Sequence, residues 1–120
     1  MSIQSIALVV KSTDRTAAVQ RYSSLLESDV LHEFAIGDTR LTVSVLPGVS
    51  ILSGTEEALA RADSLVASAL VDSLATTRAQ LEAAGWTITG SLGSPGSILA
   101  RDADGYIIEF VEQTDDQVGG

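Results

Sequence analysis

Residues 65–85, LVASALVDSLATTRAQLEAAG, decide the fold. The first seven residues, rich in valine and leucine, have the length and composition of a buried strand. The segment from residue 72 to Gly85 then reads as a helix closed by a glycine at its C-terminus. Upstream, the same order occurs once before. IQSIALVVK, residues 3–11, reads as a strand and STD supplies N-cap candidates. In RTAAVQRYSSLLES, Ala18, Val19, Tyr22, Leu25 and Leu26 recur at three- and four-residue spacing, as on one buried helix stripe.

Each strand and helix is followed by three short strand candidates. In the first half these are VLHEFAI, TRLTVSVL and VSILS, separated by GD and PG, whose turn chemistry favours consecutive antiparallel strands. In the second they are WTITG, GSILAR and GYIIEFVE. The order βαβββ therefore appears twice, as an internal repeat of about fifty residues per unit. Leu8-Val9-Val10 matches Ala69-Leu70-Val71, and PGVSILS matches DGYIIEF. The expected fold is α+β: two βαβββ modules sharing one curved mixed sheet with helices outside. Module one spans 3–53, a connection 54–62, module two 63–113 and a polar, frayed tail 114–120. GTEEALARADS in the connection has the composition for a helical turn.

The chain has 120 residues, 45% of them hydrophobic, the size of one domain with a real core. Sixteen acidic residues against seven basic ones give a net charge of -9, without a basic patch, which argues against nucleic acid and anionic membrane surfaces as partners. The absence of cysteine removes disulfides, thiolate metal sites and cysteine nucleophiles, and is compatible with a cytoplasmic setting. No stretch has the length of a membrane span, and the N-terminus reads as a strand instead of a targeting segment.

The repeat, with SIALVV before an aspartate and helix, LVDSLATTRAQLEAAG, and the closing DADGYIIEFVE, resembles the vicinal oxygen chelate superfamily of glyoxalases, bleomycin-resistance proteins and extradiol dioxygenases. The resemblance covers residues 3–113. It implies a glyoxalase-like open cup, in which metalloenzymes of the superfamily take ligands from the first strand of each module and from the last strand. Glu109 falls at the last-strand ligand position. The first-strand positions fall at Ser5 and Val66, and Leu52 at the pseudo-symmetric place of Glu109. Ser5, Val66 and Leu52 offer one weak oxygen between them, and the chain has a single histidine, His32. A transition metal held by imidazole and carboxylate ligands is therefore not expected, nor is another cofactor.

If Glu109 points into the cup, strand alternation sends Ile107 and Val111 with it and turns Ile108 and Phe110 to the helix side. The same parity, carried to the other strands by the resemblance, places Ser5, Ala7 and Val9, Ser50 and Leu52, and Val66, Ser68 and Leu70 in the cup, with Tyr106 at its rim. Such a lining suits a small hydrophobic or amphipathic organic ligand fixed by a few polar contacts. Glu109 serves either as a ligand contact or acid/base, or as an inherited carboxylate satisfied by water or a serine. His32, Tyr22 and Trp86 read as structural, Arg40 and Arg101 as strand-end surface charges, and GSLGSPGS as a flexible rim.

Three functions remain open on these residues. The leading one is a metal-free binding protein of the glyoxalase and bleomycin-resistance type that sequesters a metabolite or drug. The second is a metal-independent isomerase, lyase or cyclase using Glu109 as the catalytic acid/base. The third is a structural or regulatory dimer with a vestigial cup. A homodimer is expected from the resemblance.

Overall fold

A computed structural model describes residues 3–90 and 96–113. The proposed frayed tail and most of the proposed flexible rim lie outside the described residues. The element order is β1 (Ile3–Ser12), α1 (Arg15–Leu26), β2 (His32–Ile36), β3 (Leu41–Leu46), β4 (Val49–Ser53), α2 (Glu56–Ala60), β5 (Leu65–Val71), α3 (Leu74–Ala83), β6 (Thr87–Gly90), β7 (Ser97–Arg101) and β8 (Ile107–Glu112). Eight strands form one mixed sheet in the order β2-β3-β4-β1-β5-β8-β7-β6. Each module contributes four neighbouring strands, and β1 and β5 join the halves antiparallel. The fold is the α+β architecture of paired βαβββ modules expected from the repeat, in the glyoxalase-like form that the resemblance implies.

Both long helices start alike. Asp14 Oδ1 accepts from the amide of Ala17 at 3.1 Å, and Ser73 Oγ from that of Thr76 at 3.2 Å. Each cap satisfies an otherwise orphaned donor, a contribution of about 1 kcal/mol. The positive φ of 92° at Gly85 ends the second helix at low steric cost, and the amide of Trp86 returns to the carbonyl of Leu81.

Three apolar clusters divide the core. Under module one, Ala18 packs with Leu46, Val49 and Ile51, flanked by Val19 and Tyr22. Under module two, Leu81 packs with Ala69, Val71, Ala100 and Phe110, and Trp86 lies against them. Tyr22 and Trp86 are thus core residues. The third cluster joins Ile36, Leu41, Leu52 and Leu65 to Ala58, Leu59 and Ala62, with Val9, Leu99 and Ile107 against it. The connection 54–62 therefore does more than link the modules. Thr55 caps a short helix, accepting from the amide of Ala58, and this third helix plugs one end of the cup with Ala58 and Leu59.

Two sequence alignments shift in three dimensions. Val9 stands five residues before the cap Asp14, and Ser68 five before the cap Ser73, so these are equivalent positions. Their parallel partners are Ser50 and Glu109. The counterpart of Glu109 is therefore Ser50, while Leu52 corresponds to Val111. Likewise Val10, not Leu8, corresponds to Ala69, and the matched runs slide by two residues. The cause is turn length: Gly48 stands two residues before Ser50, but Gly105 stands four before Glu109.

Candidate functional site

The turn ahead of β8 is built by one aspartate. Asp102 Oδ1 accepts from the amides of Asp104 at 2.9 Å and Tyr106 at 3.0 Å, and Gly105 takes a φ of 91°. This Asx geometry fixes where β8 begins, and alternation does the rest. Ile108 and Phe110 enter the core beneath α3, while Glu109 and Val111 face the concave side. Tyr106, one residue before the strand and of the opposite parity to Glu109, is 56% exposed and does not line the cavity.

The concave face encloses a cavity of about 680 Å³, in the size range of small-molecule sites. Ser5, Ala7, Val9, Ser50, Leu52, Ser68, Leu70, Glu109 and Val111 line it. Val66 and Ile107 do not. At Val66 the β5–β8 register shifts: Leu65 pairs with Ile107, but Ala67 pairs with Ile108. This irregularity brings Leu65 to the cavity in place of Val66. Ile107 packs with the apolar plug formed around α2.

The structure adds residues that the first- and last-strand parity did not reach: His32, Phe34, Val43 and Val45 on β2 and β3, and Ser97 on β7. The period-two pattern of HEFAI carried the necessary signal for His32 and Phe34. Their facing direction became determinate only through pairing of His32 with Val45 and Phe34 with Val43. The imidazole and phenyl rings have centroids 5.1 Å apart and tilt by 40°. His32 therefore belongs to the cavity wall, beyond its expected role as a structural strand residue.

Among the described residues that line the cavity, Glu109 is the one carboxylate. It pairs with Ser68 on one side and Leu99 on the other, and Ser68 Oγ donates to Oε1 at 3.1 Å. Burial pushes the Glu109 carboxyl above its ordinary pKa, against the opposing effect of the Ser68 hydrogen bond. Leu99, paired with Glu109, packs against the apolar plug and so sets aliphatic surface beside the carboxyl group. Oε1 is already engaged by Ser68. The carboxyl group can use its remaining capacity to donate when protonated or accept when ionised.

The superfamily's transition metals do not fit this donor set. Ser68 and Ala7 occupy the strand positions leading away from Glu109 on β5 and β1, and neither supplies a nitrogen donor. Among the described residues no three His, Cys, Asp or Glu side chains cluster to hold a metal.

A contrasting carboxylate lies on the outer face. Arg15 Nη1 donates to both oxygens of Glu33 at 2.8 and 3.0 Å, and the buried Ser44 donates to Oε2 at 2.7 Å. The Ser44 hydrogen bond, followed by the hydrogen bond and charge of Arg15, holds Glu33 below the ordinary carboxylate range despite a desolvation penalty. Arg40, with a φ of 64° in the β2–β3 turn, and Arg101 at the end of β7 are both exposed.

Compared with known proteins, the chain matches no family model and no curated protein. Among solved structures, an uncharacterized protein from Methanosarcina mazei is 31% identical, with 95% of each chain covered and a TM-score of 0.83. Methylmalonyl-CoA epimerase from Mycobacterium tuberculosis is 16% identical, over 98% of this chain and 93% of that one, with a TM-score of 0.70. The Streptomyces coelicolor methylmalonyl-CoA epimerase in complex with 2-nitronate-propionyl-CoA is 15% identical, over 94% and 96%, with a TM-score of 0.69. At those identities the two epimerase structures establish a shared glyoxalase-like fold.

Proposed function

The chain belongs to the same family as the Methanosarcina mazei protein, and on that premise we propose that it is a metal-free binding protein whose cup sequesters a small amphipathic organic molecule. One observation carries the reading: a drug-sized, mostly apolar cavity holds, among the described residues, a single carboxyl group steadied by Ser68 and no cluster of three metal-ligating side chains beside it. The ligand's polar end meets Glu109 and Ser68, and its apolar body lies along the aliphatic and aromatic wall. Selectivity then rests on that polar contact, while burial of apolar area supplies most of the affinity.

Native mass spectrometry and elemental analysis of the purified protein test this reading together. The expected result is a bound organic compound of a few hundred daltons and no stoichiometric transition metal after dialysis. One tightly held Fe, Mn, Ni or Zn per chain overturns the metal-free reading.

A second reading is favoured by the upward pKa shift of Glu109. A glutamate moved towards neutrality acts as an acid/base, taking a proton from carbon next to a carbonyl and returning it to another position. An isomerase, lyase or cyclase would turn its ligand over, whereas a binding protein returns it unchanged.

The proposal includes a homodimer in a cytoplasmic setting. Ile6 and Leu8 are 56% and 64% exposed on the outer face of the central strand β1, between α1 packed on β3 and β4 and α3 packed on β6 to β8. Sedimentation should give a dimer that Leu8→Lys dissociates, and a wild-type monomer at micromolar concentration overturns this part.

A further inference from the structure

The walls of the cup differ in a way that specifies the body of the ligand. Aromatic residues make up only 4% of the chain. Tyr22, Trp86 and Phe110 are used in the two helix-packed cores, and Tyr106 turns away from the cavity. Phe34 is left on the cavity wall, 43% exposed, on the edge strand β2. His32 stands two residues before it with the rings in contact. Pairing places Val45 beside His32 and Val43 beside Phe34, so two rings and two branched aliphatic side chains form a block on adjacent strands.

We propose that the ligand carries a planar aromatic ring system, seated on this His32, Phe34, Val43 and Val45 plate. The inference deepens the binding reading above and rests on it. A wall that presents two tilted rings rewards an aromatic partner through offset or edge-to-face contact as well as area. A rigid ring also loses less rotamer freedom on binding than an acyl chain of equal carbon number. Both modules place serines on the cavity, but its carboxyl group, Glu109, comes from module two and the two rings come from module one, which sets the aromatic wall apart from the charged one.

Two ketones serve as probes: 2-acetylnaphthalene, planar and aromatic, and 2-decanone, flexible and aliphatic. Binding to the full chain is measured by calorimetry with ligand-observed NMR. The wild type should bind the naphthyl ketone more tightly. Phe34→Leu, which keeps apolar volume but removes the ring, should weaken it about two- to tenfold and leave 2-decanone nearly unchanged. Phe34→Ala should weaken the naphthyl ketone at least as much, and exposure on an edge strand makes it tolerable to the fold. Equal affinities, or an equal loss of both probes in Phe34→Leu, overturn the aromatic assignment while the cup remains a binding site. Failure of both ketones to bind the wild type overturns the binding reading and this inference with it.

Discussion

The two modules repeat one order of elements and cap their long helices in the same manner, yet they line the cup with different chemistry. Module one contributes Ala7, Val9, Phe34, Val43, Val45 and Leu52 beside Ser5, His32 and Ser50. Module two contributes Ser68, Ser97 and Glu109 among Leu65, Leu70 and Val111. The sharpest difference falls at one pair of equivalent positions, Ser50 and Glu109, which occupy corresponding places beside Val9 and Ser68. The two modules share one backbone frame, and their concave faces place the rings in module one and the carboxyl group in module two.

The strongest way to break the comparison is to separate the modules. Residues 1–54 alone should not yield a cooperatively folded monomer, because the cut removes β5 from β1 and exposes the apolar side chains of the shared plug. Chemical denaturation with sedimentation checks this. A soluble monomeric half with a cooperative transition would show that a module closes its own core, contrary to the shared architecture.

That dependence also explains what sequence could and could not locate. Around Glu109 the apolar residues Ile107, Ile108, Phe110 and Val111 fit either face, so alternation became usable only once the resemblance pointed Glu109 into the cup; it then holds for Ile108, Phe110 and Val111 and fails at Ile107. The equivalence of Ser50 with Glu109 was not legible, because it depends on unequal distances from the turn glycines to the paired residues. Val66 was misplaced by a local register shift that alternation cannot anticipate. The His32 and Phe34 wall needed the β2–β3 register, a non-local relation, before its direction could be assigned.

The next effect isolates the charge that module one lacks. Burial raises the folded-state pKa of Glu109 above the unfolded value, so in the window between those two values the folded chain holds more protons. Stability consequently falls as pH rises through that window. The penalty is absent below the unfolded pKa and complete above the folded one. Glu109→Gln should leave acid-side stability unchanged and increase stability on the alkaline side, while weakening a ligand that requires the ionised carboxylate. Urea unfolding at several pH values checks the sign. Loss of stability above the window would make Glu109 a structural ion partner and remove burial as the explanation of its shift.

The smallest expected effect tests the pairing that distinguishes the two sides of the cup. Ser68 donates to Glu109 Oε1 at 3.1 Å and partly offsets desolvation, so the hydroxyl favours the ionised form. Ser68→Ala removes this donor with little change of volume, on a face that already accepts alanine at Ala7 in the neighbouring strand. The Glu109 carboxyl pKa should therefore rise further, extending the window of falling stability to higher pH. Carbon-detected NMR titration of the side-chain carboxyl reads this directly, without relying on an identified ligand. In Ser50→Ala, the substitution at the equivalent module-one position, the Glu109 titration should remain close to wild type, because the Ser50 row meets β1 at Val9 while the Glu109 row meets it at Ala7. Equal shifts in both variants would mean that general cup hydration, and not the Ser68 contact, sets the balance at Glu109. A downward shift in Ser68→Ala would show that the vacated space admits water faster than the lost hydrogen bond destabilises the carboxylate.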